Sequence, residues 1–436
     1  MREMKDSGVE WIGEIPKDWE IIKTKYVADI SIGLVTTMTA NYVDNLDDGV
    51  YLIRNGDIRL NKISKEKMVY ISRKFVEQNA SRQLLENDIV TVHTGYIGTS
   101  AIIREDFIGS VGFATIQSRP NLNIINERYL CWFYNSPFFI KQCMLHNTGD
   151  GRQNLNLYDF VDFYVYQPPL AEQQQIADYL DTKCSEIDAT AEDIQKEISL
   201  LEDYKKSLIT EAVTKGLNPD AEMKDSGIEW IGQIPKDWSL KKGKYLFVQR
   251  NDRGNDENLQ LLSPSQKFGV IPQSLLEDLT TQTTVKLKEN TDLSTLKTVH
   301  KGDFCISLRS FQGGFEYSEY EGVVSPAYQI FYKKEDLVNT YYKYIFKDSS
   351  FISKMNSYTM SLRDGKNISY FDFGNTYLPL PTVCEQQQIA DFLDTQCSEI
   401  DAIIADKKRQ LDILAEYKKS LIYEYVTGKK EVPVHE

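Results

Sequence analysis

The chain is poor in the residues that build metal sites and disulfide frameworks. Only four histidines and six cysteines are spread over 436 residues. The cysteines (Cys131, Cys143, Cys184, Cys305, Cys384, Cys397) form no C-x-x-C pair, so neither a zinc ribbon nor a finger is expected. No apolar run approaches the length of a membrane span, and the charged start does not read as a signal peptide. These absences predict a cytoplasmic protein with reduced thiols and no membrane contact. Chemical motifs are missing too. Without a G-x-x-x-x-G-K-S/T phosphate loop, a P-loop motor is not expected. Neither a G-x-S-x-G elbow nor an HExxH zinc helix occurs. An adenine methyltransferase would need Asp/Asn-Pro-Pro-aromatic, and Gln167-Pro168-Pro169-Leu170 lacks both the lead residue and the aromatic. Glu416-Tyr417-Lys418 has the Glu-x-Lys spacing of metal nucleases but falls in a long helical pattern. The expectation is a binding protein with no catalytic residues, metal or cofactor of its own.

What the chain does have is duplication. The phrase from Met4 to Trp19, containing Ser7-Gly8-Val9-Glu10-Trp11-Ile12-Gly13, returns from Met223 to Trp238. A second phrase, Glu172 to Leu208, returns from Glu385 to Leu421 with 23 of 37 positions identical. Two near-identical frames therefore hold two inserts that resemble each other far less. From Tyr129 and Tyr342 onward the inserts align without a gap, pairing Phe133 with Phe346, Asn154 with Asn367 and Asp159 with Asp372. They diverge most over 20–128 and 240–341.

The second phrase reads as a helix. Leu180, Cys184, Ile187, Ala191, Ile194, Ile198, Leu201, Lys205, Leu208 and Ala212 alternate steps of four and three. So do Leu393, Cys397, Ile400, Ile404, Lys407, Leu411, Leu414, Lys418, Leu421 and Tyr425. A 3.5-residue period sustained over four heptads favours a coiled coil, and two copies in one chain favour pairing with each other. Pro169 and Pro381 precede the helices and Gly216 and Gly428 follow them. The expected architecture is α+β. Two mixed α/β domains (1–167 and 223–381) alternate with two long helices (168–222 and 382–436) that form an antiparallel coiled coil with an internal pseudo-twofold repeat.

A net charge of −14 argues at first against nucleic acid. The acid is local, however. Residues 168–222 carry 5 basic and 13 acidic side chains, and 382–436 carry 7 and 11, whereas the inserts are near neutral. Polar, glycine-containing loops punctuate the inserts. Arg, Lys, Asn and Gln can read base edges, and glycine lets backbone approach phosphates. The candidates in the first insert are Arg54, Asn55, Arg59, His93, Thr94, Tyr96, Arg152, Gln153 and Asn154. In the second they are Arg250, Arg253, Lys267, Arg309, Gln312, Lys366 and Asn367. For any single loop a plain surface turn is the favoured reading over base contact. The loops ending in Asn154 and Asn367 match in position, which suits backbone contact better than base reading.

In order, the paired Ser-Gly-(Val/Ile)-Glu-Trp-Ile-Gly-x-Ile-Pro-Lys-Asp-Trp phrases, the inserts and the paired Pro-x-x-x-Glu-Gln-Gln-Gln-Ile-Ala helices resemble the specificity subunit of a type I restriction–modification system. The resemblance covers the whole chain. It implies that each insert is a target-recognition domain for half of a split double-stranded DNA sequence. It also implies that the helices serve as spacer and as docking surface for methyltransferase subunits, two of them expected. Methylation and cleavage would belong to those partners and to restriction/translocase subunits, which would bind S-adenosylmethionine and ATP. Two other readings stay open. A fused stand-alone nuclease or methyltransferase would need the motifs that are missing. A coiled-coil adaptor with protein-binding inserts would leave DNA unmodified.

Overall fold

The computed structural model describes residues 2–9, 12–35, 38–147, 153–254, 259–280, 295–306, 314–334, 336–358 and 368–433. The chain divides into two compact units. The first comprises Met1–Ile194 with Lys408–Glu436, and the second comprises Gln195–Lys407. Each unit thus takes one insert, one half of each long helix and one copy of the tryptophan phrase.

In the first unit an antiparallel sheet orders the strands Ser100–Ile102, Ile89–Val92, Thr115–Pro120 and Ala28–Ile32. A second sheet orders Val111–Phe113, Gly49–Arg54, Val69–Ser72 and Tyr42–Val43. The first unit's helices Glu127–Tyr134 and Pro137–Leu145, with the short helix Leu157–Phe160, add an aromatic core of Tyr129, Phe133, Tyr134, Phe139 and Phe160, all buried. Each fully buried side chain of this size contributes roughly 1.5–3 kcal/mol. The second unit repeats the main sheet with the same connectivity, ordering Phe247–Arg250, Gln329–Lys333, Phe304–Ile306 and Phe315–Tyr317. Phe247, Phe304, Phe331, Phe346 and Phe373 fill its core. A further strand of the second unit runs from Leu262 to Ser265, with Leu261 before it making only an isolated bridge to Val323.

The long helices span Leu170–Lys215 and Val383–Val426. Their repeated opening residues have a contact apiece. Trp19 donates its indole N–H to Glu172 at 2.9 Å, and Trp238 donates to Glu385 at 2.8 Å. Gln173 accepts from Asn126 N–H at 2.7 Å and donates to Pro168 O at 2.8 Å. Gln386 likewise accepts from Val338 N–H and donates to Pro381 O, both at 3.0 Å. Gln174 and Gln387 bond Asp178 and Asp391 one turn on. Ile176, Ala177 and Leu180, with Ile389, Ala390 and Leu393, are buried. The two phrases are copied together because they are two sides of one joint.

At the helix ends Gly216 and Gly428 adopt φ of 75° and 70°, the left-handed conformation that stops a helix. Packing also excludes a side chain at Gly428 and leaves little room for one at Gly216. A Cβ on Gly428 would lie 2.4 Å from Pro16 Cγ, and one on Gly216 3.2 Å from Trp238 Cζ2.

Within each unit the helix halves run antiparallel. In the first unit Tyr179 lies against Tyr425, the rings tilted at 41° and 4.6 Å between centroids, and Lys418 pairs with Asp188 at 2.6 Å. In the second, Lys205 pairs with Asp401 at 2.6 Å and Lys407 pairs with Glu197. All three lysines occupy seam positions of the heptad pattern. A seam lysine gives up burial, and its ion pair across the two helices favours the register seen. Leu180, Ile187, Ile194, Ile198, Leu393, Ile400, Ile404 and Leu421 are buried, while Leu201, Leu208, Leu411 and Leu414 are half-buried.

All six cysteines are free thiols, with Cys384 alone exposed, and burial pushes the Cys184 thiol up to about 12. No described helix is long and apolar enough to cross a membrane.

Candidate nucleic-acid interface

Three loops distant in sequence converge on one edge of the first unit. Asn55 is the hub. Its amide donates to Ala114 O at 3.0 Å while its carbonyl accepts from His93 N–H at 2.8 Å. Ala114 sits at φ 50°, a left-handed strain of order 1 kcal/mol that these bonds hold in place. The His93 loop then joins the third segment. Gly95 N–H donates to Gln153 O at 3.0 Å, Leu155 N–H to His93 O at 2.9 Å, and the Thr94 hydroxyl to Asn154 Oδ1 at 3.2 Å. Burial pulls the His93 imidazole below its ordinary value, so it is neutral at physiological pH, with Nδ1 2.9 Å from Thr94 Oγ1. Tyr96, between Gly95 and Gly98, projects outward at 89 % exposure. Its two flanking glycines have φ of 105° and 88°.

The candidates differ in what their side chains have left to offer. Arg54 closes a two-pronged pair with Asp57 at 2.9–3.0 Å, so its fork is occupied within the unit. Asn55 is satisfied at both ends. Arg59 is exposed and donates to the local carbonyls of Gly56 and Ile58. His93, Thr94, Tyr96, Gln153 and Asn154 sit together on the edge. Arg152 lies outside the described residues.

In the second unit Arg250 is committed to Asp303 at 2.7 Å and Asp252 at 2.8 Å, and it lies 4.3 Å over the Tyr332 ring. Arg253 donates to Thr295 O at 2.7 Å. Lys267 is exposed beside Phe268, at the mouth of a cleft of about 660 Å³. Arg309, Gln312, Lys366 and Asn367 lie outside the described residues. Asp303 and its first-unit counterpart Asp88 escaped the sequence reading, because a lone aspartate before a strand announces no partner. Asp88 is clamped by Arg119 Nε and Nη2, both at 2.8 Å. Among the described residues no His, Cys, Asp and Glu group could hold a metal ion.

The second-unit cleft also holds Glu316, buried and paired with Lys347 at 2.7 Å, with Lys343, Tyr317 and Glu319 along the wall. Burial outweighs the lysine and pushes its carboxyl up to about 7. The folded chain therefore holds this proton more tightly than the unfolded chain does between the ordinary value and about 7. That contribution is complete at low pH and is lost as pH rises through that window. Glu316→Gln is expected to shift relative stability in the variant's favour by on the order of 2–3 kcal/mol between pH 4.5 and 7.5. Urea melts of both proteins across that range check it, and parallel pH profiles would refute it.

A family model described as the type I restriction modification DNA specificity domain matches twice, at residues 16–200 and 233–412. The chain is 26% identical to a putative type I restriction enzyme MjaX specificity subunit of Methanocaldococcus jannaschii, over 97% of this chain and 96% of that protein. It is 27% identical to the EcoBI specificity subunit of Escherichia coli, over 42% of this chain and 38% of that protein. Among solved structures, one comes from work on complex assembly and conformational transition of the type I R-M system. It shares the fold at a TM-score of 0.68 and 15% identity, covering 95% of this chain and 99% of that one. The HsdS subunit from Thermoanaerobacter tengcongensis gives 0.52 at 15% identity, covering 95% and 98%.

Proposed function

We propose, for a chain that belongs to the type I restriction–modification DNA specificity family, that each unit reads one half of a split double-stranded DNA target. The observation that carries this is the converged edge of the first unit. There a hydrogen-bonded frame presents Tyr96, Thr94 and Gln153 from two segments about 60 residues apart in the chain. Base readout needs side chains held on such a frame, and sequence differences between inserts then translate into different half-sites. The subunit performs no chemistry. It directs methyltransferase and restriction/translocase partners, on which S-adenosylmethionine and ATP bind, and it works in the cytoplasm.

The long helices suit the partner-facing role. Leu200 and Tyr204 in the second unit, and Ile413 and Tyr417 at the equivalent positions in the first, are exposed apolar side chains one turn apart. On an otherwise acidic helix they offer two matching patches, one for each of two methyltransferase copies. The acid keeps these helices off phosphates.

Methylome sequencing of cells expressing the chain with its methyltransferase tests the reading. A single interrupted motif, modified once on each strand, is expected. A continuous motif, or no modified motif from an assembled complex, would overturn it.

A further inference from the structure

The inserts diverge, yet one exposed feature recurs in both. In the first unit the short helix Thr24–Val27 carries Lys25 and Tyr26, and it docks on the segment after the short helix Leu157–Phe160, which carries Tyr158. Thr24 N–H donates to Phe163 O at 2.9 Å and Lys25 N–H to Val161 O at 3.1 Å. In the second unit Gly243–Leu246 carries Lys244 and Tyr245, and packs on Tyr370–Asn375, which carries Phe371. Gly243 N–H repeats the docking bond to Thr376 O at 2.9 Å. The four rings stand in solvent: Tyr26 is 59% exposed, Tyr158 83%, Tyr245 56% and Phe371 75%. Each lysine hangs over its neighbouring tyrosine, at 5.4 Å for Lys25 and 5.6 Å for Lys244. Large aromatics left this open add little to the core, so core packing does not explain their presence at matching positions.

We propose that these two patches are matched, sequence-independent anchors for the DNA backbone. Three observations favour that occupant. A contact that reads bases should differ between unlike half-sites, whereas a lysine over a tyrosine beside a second open ring recurs in both units, as a contact to something both half-sites share would. Sugar and phosphate are that shared element. In the first unit the chain also runs from the reading edge into the patch, since Tyr158 lies three residues beyond Leu155, whose N–H bonds His93. Finally, lysine beside an open aromatic suits a phosphate next to an apolar sugar face, and the second unit makes the charge plainer. Where Asp162 takes up Lys25 at 2.7 Å, Lys244 meets the neutral Asn375 at 3.1 Å. The inference rests on the DNA-reading function above. It adds that fixing the duplex and choosing its sequence are separable jobs of separate residues.

The test uses the complex reconstituted with its methyltransferase subunits, on a duplex bearing the methylated motif and on a scrambled duplex, over a salt series. Tyr26→Ala with Tyr158→Ala, and Tyr245→Ala with Phe371→Ala, should each weaken both duplexes by roughly tenfold and in equal proportion. The ratio of target to scrambled affinity and the methylated motif should stay unchanged. Lys25→Gln with Lys244→Gln should flatten the log–log salt slope by about 0.9 for each phosphate left without its lysine. Tyr26→Phe with Tyr158→Phe should restore binding. Unaltered affinity and slope would overturn the proposal. So would a changed target-to-scrambled ratio, which would mean base reading, or loss of methyltransferase from the complex on size-exclusion chromatography, which would mean a protein-docking face. If the unmodified complex itself fails to discriminate target from scrambled DNA, the DNA-reading function fails instead. The loss on scrambled duplex still reports on the anchors.

Discussion

Trp19→Ala should destabilise the first unit by about 3–5 kcal/mol, enough to unfold it at moderate temperature. Trp19 is fully buried, and it is the point where three separate stretches of chain meet. Its indole N–H is spent on Glu172, its ring lies 5.1 Å beneath the Arg2 guanidinium, and Gly428 packs against it from the second long helix. Deleting the ring opens a cavity and removes the bond that ties the tryptophan phrase to the helix start. Trp238→Ala should do the same to the second unit. The tryptophan-to-phenylalanine pair is more discriminating. Glu172 keeps Arg2, which holds it at 2.5 and 2.9 Å, when Trp19 becomes phenylalanine. At the position equivalent to Arg2 the second copy has Ala221. Trp238→Phe therefore leaves Glu385 dependent on water and should cost more than Trp19→Phe, by about 1 kcal/mol. Urea unfolding of the four variants followed by tryptophan fluorescence and circular dichroism measures this. A destabilisation below about 1 kcal/mol in the alanine variants, or equal phenylalanine variants, would refute the joint.

What could be read from the chain alone divides along a physical line. The helices were legible because their signal is local and periodic: a seam of apolar residues every 3.5 positions survives without knowledge of anything else. Duplication supplies a second copy as a control: Lys205 and Lys418 fall at the same seam position of the two helices, a placement that needs no knowledge of Asp401 or Asp188. The edge of the first unit was legible only as composition. That Asn55 reaches the His93 backbone, and that Gln153 and Asn154 close on the same loop, depends on pairings across 38 and about 60 residues, which no local pattern encodes. The same limit hid the commitment of Arg250 to Asp303, whereas Arg54 pairs with Asp57 only three residues on, within reach of a local reading. An arginine in a polar turn reads as free to meet DNA until its aspartate is found, and Asp303 stands 53 residues from Arg250. The exposed aromatics were hidden differently. Nothing in a sequence says that Tyr26 or Phe371 is open rather than buried, although their matching offsets between the two copies were visible.

Arg250→Ala should cost about 3–5 kcal/mol at pH 8 and measurably less at pH 5. The carboxyl of Asp303 is 3% exposed and the Arg250 side chain 16%. The pair is completed by His300 N–H at 2.9 Å from Asp303 Oδ2. Burial holds the Asp303 carboxyl above its ordinary value even with the guanidinium in place. Removing the arginine takes away the largest attraction to the ionised form while leaving the burial, so the carboxyl moves further up. Above that value the variant must either keep an unpaired buried charge or take up a proton, and both cost folding free energy that grows with pH. Below it the neutral acid needs no cation, which is why acid relieves the defect. The first unit supplies the control. Arg119 in its pair with Asp88 is 47% exposed, so water replaces part of what is lost, and Arg119→Ala should cost less than Arg250→Ala at pH 8. Replacing both partners, Arg250→Met with Asp303→Leu, should recover most of the stability, because it removes the desolvated charges together. Urea melts of the single and double variants at the two pH values decide the matter. Equal costs at both pH values, or a double variant as unstable as the sum of the singles, would show that the pair is not the electrostatic clamp its geometry describes.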